Sequence, residues 1–114
     1  MFKKGIIVLI PFPFTDLSSS KVRPALIISS NKISGDDIIV AFISSKKITK
    51  LQKTDVFITR NTQDFDKTGL KVDSIIKINK IATLDKKIIL GELGEVNKKL
   101  QIEINKKIKI LFDL

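Results

Sequence analysis

The sequence predicts a small, mainly β domain in which a barrel-like sheet is closed by a C-terminal α-helix. Short apolar runs rich in β-branched residues recur along most of the chain and are separated by polar breaks, which is typical of β proteins. The last twenty residues change to a helical period. With 114 residues, the chain is long enough for one core and too short for two, so residues 1–114 are expected to form a single domain.

Five to seven short strands are expected, and six segments are candidates in chain order. Ile6–Ile10 is a continuous apolar run, which predicts a strand covered on both faces. Ala25–Ser29 and Ile38–Ile43 predict two further core strands, and the polar segment NKISGDD between them predicts a loop. Alternating polar and apolar residues predict two half-exposed strands, and a short apolar run predicts the last one. These three segments are Asp55–Thr59, Ser74–Lys80 and Lys87–Leu90.

The C-terminal segment has the period of an amphipathic helix. Its apolar stripe, spaced four, four, four and three residues apart, consists of Val96, Leu100, Ile104, Ile108 and Leu111. Lysines lie between these positions. We therefore expect a helix that packs one face on the sheet.

Composition excludes several kinds of site. The chain has no cysteine and no histidine, which excludes disulfides, thiolate metal sites, Ser-His-Asp triads and imidazole general bases. Catalysis would have to use Arg, Lys, Asp, Glu, Ser or Thr. A formal charge of +9 favours an anionic partner such as nucleic acid or an acidic peptide. The abundance of Lys, Ile and Asn also fits codon bias in an AT-rich genome.

The N-terminus resembles a signal peptide only superficially. The apolar run in MFKKGIIVLIPFPF is interrupted by Pro11 and Pro13, and no small-residue cleavage site follows. No stretch approaches the roughly eighteen apolar residues of a membrane span. We expect a soluble protein of the cytoplasm with no membrane partner.

The stretch PFPFTDLSSSKVRPALIISS places an arginine where a core strand begins. Pro24 favours an extended conformation for Arg23 and cannot donate to a sheet ladder. The Arg23 guanidinium, at this strand entrance, is a planar fork of donors that suits a phosphate. The alternative is a surface arginine paired with an acid such as Asp16.

Two more polar features follow the third predicted strand. Ser44 and Ser45 end it, and hydroxyl groups there can orient a phosphate or simply mark a turn. The next segment, SSKKITKLQKT, is strongly basic and has no acid before Asp55. It could hold a polyanion backbone, with salt-dependent affinity, or be a solvated charged loop.

Together, the stretches VLIPFPFTDLSSSKVRPALIIS, IIVAFISS and GLKVDSIIKINKIATLDKKII resemble the MazF/PemK family of toxins of type II toxin–antitoxin systems, and PFPFTDLS resembles the opening of one branch. The resemblance implies an SH3-like barrel of the MazF/Kid/CcdB type with a C-terminal helix, usually a homodimer. It also implies metal-independent, sequence-selective cleavage of single-stranded RNA, in which the 2′-hydroxyl attacks the adjacent phosphate. An antitoxin with a flexible, acidic and apolar tail would fill the RNA groove, and their complex would bind DNA.

The resemblance also implies site residues. The family's catalytic arginine and the Thr or Ser that ends its third strand match Arg23 and Ser44. Arg23 would stabilise charge on the scissile phosphate, and Ser44 would donate a hydrogen bond to a phosphate oxygen. Further RNA contacts are expected at Ser45, Lys46, Lys47, Lys50, Asp16, Ser20, Lys21 and Lys77.

Several positions depart from the family pattern. Ile6 follows Gly5 where relatives often carry an acid, Asn79 stands where better-known relatives have an acid, and Ala82 stands where they have a basic residue. A carboxamide cannot act as a general base, so the base is unassigned and Asp16 is a loop candidate. The alternative function is a non-catalytic module on the same fold that binds RNA, or a protein target as the gyrase-inhibiting relatives do.

Overall fold

The structure is a computed structural model that describes residues 2–12, 21–32, 35–45 and 51–114. Within these ranges the chain forms six β-strands, two short 3-10 turns and one α-helix. The strands are β1 (Ile6–Phe12), β2 (Lys21–Ile27), β3 (Asp37–Ser44), β4 (Asp55–Ile58), β5 (Ser74–Asp85) and β6 (Gly91–Glu95). The turns are Phe65–Thr68 and Lys86–Ile88, and the helix α1 is Lys98–Phe112.

The six strands form one curled antiparallel sheet in the order β4-β5-β3-β2-β1-β6. This half-barrel, followed by a C-terminal helix, confirms the predicted fold class. In the described part of the chain, no helix is long and apolar enough to cross a membrane.

The two faces of the sheet carry two buried clusters, because successive side chains of a strand point to opposite faces. One cluster, with Leu26, Ile43 and Ile76, is covered by α1; we call this side the helix face. The other cluster includes Ile10, Ala25 and Val40; we call this side the site face, since it also carries the side chains considered below.

The helix packs as its apolar period predicts. Leu100 and Ile104 are buried, and Ile108 and Leu111 pack against the same cluster. The Asn97 side chain caps the first turn by accepting a hydrogen bond from Leu100 N at 2.8 Å. The predicted stripe is therefore the core-facing side of α1.

The 3-10 turn Phe65–Thr68 lies directly against β6. A Cβ added to Gly94 would be 2.2 Å from the Lys67 carbonyl oxygen, and one added to Gly69 would be 2.3 Å from the Leu93 carbonyl oxygen. The two backbones are therefore closer than any side chain permits. In this way the segment that follows one edge strand, β4, covers the other edge strand, β6.

One predicted strand was wrong, and two others differ most in extent: β5 ends at Asp85 instead of Lys80, and β2 begins at Lys21 instead of Ala25. Lys87–Leu90 is not a strand: the Asp85 carboxylate accepts from Lys87 N at 2.8 Å and caps a 3-10 turn, and the last strand is Gly91–Glu95. Two glycines and two glutamates concealed that strand, since these residues have low β-propensity.

The second strand begins earlier than predicted, so Arg23 lies inside β2 rather than at its entrance. Pro24 has no N–H to donate to a neighbouring strand. It is tolerated there because the β2–β3 ladder starts only at Ala25, and on the β1 side it stands opposite Leu9.

Candidate functional site

Arg23 lies on the site face of β2. It is half-buried and stands opposite Ile10 of β1. Ala25, two residues later, belongs to the buried cluster of the same face. Along β2, the side chains on this face therefore change from the buried Ala25 to the half-buried Arg23.

Ser44 ends β3 on the same face. It is half-buried and stands opposite Ile75 of β5. The last β2–β3 pair is Ala25 with Phe42, and Arg23 and Ser44 each lie two residues beyond it on the same face. The fold thus places the two residues predicted to be catalytic on one face of neighbouring strands.

Side chains that stand opposite one another across neighbouring strands form a row. The row next to that of Ser44 on the site face contains a buried ion pair. Asp55 of β4 stands opposite Lys77 of β5, and Lys77 stands opposite Phe42 of β3. Lys77 Nζ donates to Asp55 Oδ1 at 2.6 Å, and the two side chains are 9% and 0% exposed. The other carboxylate oxygen, Oδ2, accepts from Gln52 N at 2.9 Å.

This geometry changes the interpretation of Lys77. Sequence reasoning assigned it to RNA contact, and that role stays a prediction; however, its charge is compensated by Asp55 and its side chain is nearly covered. The alternation in DVFIT indicated that Asp55 and Phe57 share a face, but nothing in the sequence paired Asp55 with a lysine far along the chain.

A bulge in β5 lies next to this pair. Ala41 stands opposite Ile81, but the next residue, Phe42, stands opposite Lys77, so β5 has three extra residues, 78–80. Bulges often occur next to active sites, where they redirect side chains. Asn79 is exposed on this bulge. Ala82 lies beyond it, opposite Val40, and packs against the cluster of the site face.

Phe57 is an aromatic side chain that sequence reasoning missed. It stands opposite Ile75, in the row of Ser44, and is 46% exposed. A half-exposed ring on a strand offers a flat surface on which a base can stack.

The other predicted RNA contacts divide into two groups. Lys21 begins β2 and Ser45 follows β3, and both are exposed at the end of the sheet that holds Arg23 and Ser44. Five further predictions lie outside the described residues: Asp16, Ser20, Lys46, Lys47 and Lys50.

An open groove of about 740 Å³ lies elsewhere, near Ile6 at the start of β1. Its lining includes Lys3, Lys67, Glu92 and Glu95. Because this lining mixes both signs of charge, it suits a polyanion less well than the region around Arg23. In ranges 2–12, 21–32, 35–45 and 51–114, no group of three or more carboxylates is placed to hold a metal ion.

Comparison with known proteins agrees with this architecture. The sequence pattern of the family described as PemK-like, MazF-like toxin of type II toxin–antitoxin system matches residues 3–112. No curated protein matches the chain.

Solved structures match over nearly the whole chain. A mycobacterial endoribonuclease in complex with its cognate antitoxin has a TM-score of 0.75 at 18% identity, covering 98% of this chain and 95% of its own. The Mycobacterium tuberculosis toxin MazF-mt6 has a TM-score of 0.71 at 18% identity, covering 97% and 98%. A MazE-MazF structure from Deinococcus radiodurans has a TM-score of 0.72 at 19% identity, covering 98% and 96%. At these identities, the likeness shows the fold.

Proposed function

Because this chain belongs to the PemK-like, MazF-like family of toxins of type II toxin–antitoxin systems, we propose that it is a toxin that cleaves single-stranded RNA. The proposal depends on one observation above all: Arg23 and Ser44 lie on the site face of neighbouring strands, each two residues beyond the last β2–β3 pair. A guanidinium and a hydroxyl in that arrangement can bind the oxygens of one phosphate.

The proposed reaction is an internal transfer at phosphorus. The 2′-hydroxyl oxygen forms a bond to the adjacent phosphorus and loses its proton, while the bond from phosphorus to the 5′ oxygen breaks and that oxygen gains a proton. The products are a 2′,3′-cyclic phosphate and a 5′-hydroxyl. Negative charge builds on the non-bridging oxygens during this step.

Arg23 would act on that charge. A guanidinium keeps its proton at physiological pH, so its contribution is electrostatic stabilisation rather than proton transfer. Half-burial strengthens the effect, since charges interact more strongly away from bulk water. Ser44 would donate its hydroxyl hydrogen to a phosphate oxygen and hold the phosphate in place.

The neighbouring residues suggest a path for the RNA. Lys21 and Ser45 are exposed at the same end of the sheet, and the segment after Ser45 contributes Lys46, Lys47 and Lys50 in sequence. These lysines would bind the phosphate backbone independently of base identity. Phe57, two strands from Ser44 and opposite the same residue, Ile75, would stack on a base.

The family and the net charge also support proposals about the partners of the protein and its location in the cell. We propose a cytoplasmic homodimer that needs no metal or other cofactor and is neutralised by an antitoxin with an acidic, apolar tail. Two of the structural neighbours, a mycobacterial endoribonuclease and MazF of Deinococcus radiodurans, are seen with antitoxins. A net charge of +9 favours binding of an acidic tail here as well.

The test is cleavage of a long single-stranded RNA by the purified protein in EDTA, with Arg23→Ala alongside. We expect fragments with 5′-hydroxyl ends from the wild-type protein only. Intact RNA with folded, antitoxin-free protein would overturn the nuclease proposal.

One observation favours a second function, RNA binding without cleavage. Asn79, on the bulge beside Lys77, presents a carboxamide where the resemblance implies an acid, and the nearby carboxylate of Asp55 is buried in its ion pair. A salt-dependent gel shift of uncut RNA would support this binding module.

A further inference from the structure

We propose that Phe57 and Ile75, in the same row as Ser44, form the subsite for one of the two bases that flank the cleaved bond, and that this subsite selects a purine. The inference rests on the proposed function, because it names the substrate of the same site. It goes beyond stacking in general, since it assigns a position in the RNA and a class of base. Phe57 and Ile75 would contact the substrate and take no part in the chemical step.

Two strand pairings define this row. Ser44 of β3 stands opposite Ile75 of β5, and Ile75 stands opposite Phe57 of β4. The residues next to them in sequence, Ile76 and Val56, belong to the cluster of the helix face. Because successive side chains of a strand point to opposite faces, Ile75 and Phe57 point to the site face, as Ser44 does.

The length of the row fits one nucleotide. Side chains directly opposite each other have Cβ atoms about 5 Å apart, so two successive pairs put Phe57 about 10 Å from Ser44. A nucleotide whose phosphate is held at Ser44 would place its sugar over Ile75 and its base on Phe57. Each phosphate of RNA joins two nucleotides, so this base is one of the two that flank the cleaved bond.

Exposure changes sharply along β4. Phe57 is 46% exposed, whereas Asp55, Val56 and Ile58 are at most 4% exposed. Ile75, opposite the ring, is half-buried. A half-exposed ring beside a branched aliphatic side chain presents apolar surface to solvent, and covering such surface with a base is favourable.

The chemistry of this subsite favours discrimination by ring size. The side chains of Phe57 and Ile75 carry no hydrogen-bonding group. In the adjacent row, Asp55 accepts on both carboxylate oxygens, from Lys77 Nζ at 2.6 Å and from Gln52 N at 2.9 Å. That row therefore presents a compensated ion pair. Where stacking strength decides the preference, the larger ring system of a purine is favoured over a pyrimidine.

The experiment is sequencing of the 5′-hydroxyl ends that the full-length protein produces from a long RNA of mixed sequence in EDTA. For the wild type, we expect a purine at one position flanking the cleaved bond, favoured about tenfold over a pyrimidine through stacking. Phe57→Ala and Phe57→Leu should both lose this preference and keep those at other positions, because leucine retains apolar area but no ring. Ile102→Ala, which removes a 51% exposed apolar side chain from α1, should leave the whole pattern unchanged.

A second pair of variants tests Ile75. Ile75→Thr keeps the branching at Cβ but replaces an ethyl group by a hydroxyl, so the purine preference should fall by about threefold as apolar contact is lost. Ile81→Thr makes the same change on the same strand, at a residue 37% exposed that stands opposite Ala41 of the helix-face cluster. It should leave the preference as it is in the wild type.

Absence of a flanking purine preference in the wild type would overturn the inference, as would a preference that Phe57→Ala retains. If the wild-type protein leaves RNA intact, the proposed nuclease function fails, and anisotropy with a 2′-O-methyl oligouridine and the same oligomer carrying one central adenosine becomes the readout. About tenfold tighter binding of the adenosine-containing oligomer by the wild type, lost in Phe57→Ala, would then support the purine subsite. Equal binding of the two oligomers by the wild type would overturn it.

Discussion

Arg23 on β2 and Ser44 on β3 lie on one face of the sheet, each two residues beyond Ala25–Phe42, the last pair of the β2–β3 ladder. They are far apart along the chain, and the antiparallel pairing of β2 with β3 places them on the same face. On the same face, the adjacent row holds the buried Lys77–Asp55 pair. The candidate site is therefore a corner of the sheet in which one face carries Arg23, Ser44 and the buried ion pair.

Replacing Arg23 tests the charge that the site offers to a phosphate. Arg23→Ala should lower kcat by about a hundredfold to a thousandfold, the effect of removing one donor from a transition-state charge. Arg23→Lys should recover only part of this, because an ammonium lacks the planar fork. Single-turnover cleavage measures both. Arg60→Ala, which removes an exposed arginine elsewhere, is the matched control; an equal loss there would assign the effect to net charge.

Replacing Ser44 tests the hydroxyl on the strand next to that of Arg23. Ser44→Ala should lower kcat by about tenfold, as expected for a lost hydrogen bond to a charged group, and Ser44→Thr should retain most activity. Ser30→Ala, an exposed serine between β2 and β3, should change nothing. Full activity of Ser44→Ala would remove this residue from the proposed site.

Replacing Phe57 tests base stacking. Phe57→Ala should weaken binding of single-stranded RNA by about 1–3 kcal/mol, while Phe57→Tyr should bind nearly as the wild type does. Fluorescence anisotropy with a labelled, uncleavable 2′-O-methyl RNA measures this. Ile102→Ala removes a similarly exposed apolar side chain, 51% exposed, from α1. If both alanine variants bind equally, the ring makes no contact with bases.

Replacing Gly94 tests how closely the 3-10 turn Phe65–Thr68 packs on the edge strand β6. Gly94→Ala would place a methyl group 2.2 Å from the Lys67 carbonyl oxygen, so the free energy of unfolding should fall by about 1–3 kcal/mol. Gly91→Ala, in the same strand, meets no atom within 4 Å and should be neutral or stabilising by up to about 1 kcal/mol. Urea denaturation of both variants makes the comparison, and equal stabilities would show that the two backbones separate at little cost.

The ion pair itself can be tested by a double-mutant cycle. Lys77→Met or Asp55→Val alone leaves one buried charge without its partner and should destabilise the fold by about 3–5 kcal/mol. The double variant should recover most of that loss. Simple additivity of the two single changes would mean that the pair is not coupled in solution.

Much of the fold follows from local patterns. The runs around Ile7, Leu26 and Val40 form the predicted core strands, and the stripe ending at Leu111 forms the core side of α1. The strand Gly91–Glu95 escaped prediction partly because Gly94 is required by the close approach of another segment, which no local pattern reveals. The strand limits of β2 escaped it for a similar reason, since pairing with β1 extends β2 beyond Pro24.

The sequence by itself determined the class of the fold, the family, the absence of cysteine and histidine chemistry, and the candidates Arg23 and Ser44. These depend on periodicity, composition and short motifs, which are properties of neighbouring residues. The tertiary structure alone decided that Arg23 and Ser44 share a face of the sheet, that Lys77 is held by Asp55, and that Phe57 is exposed opposite Ile75, the residue that also stands opposite Ser44. Those relationships arise from strand register and from the bulge in β5, because pairing between distant segments determines which side chains meet and which are buried.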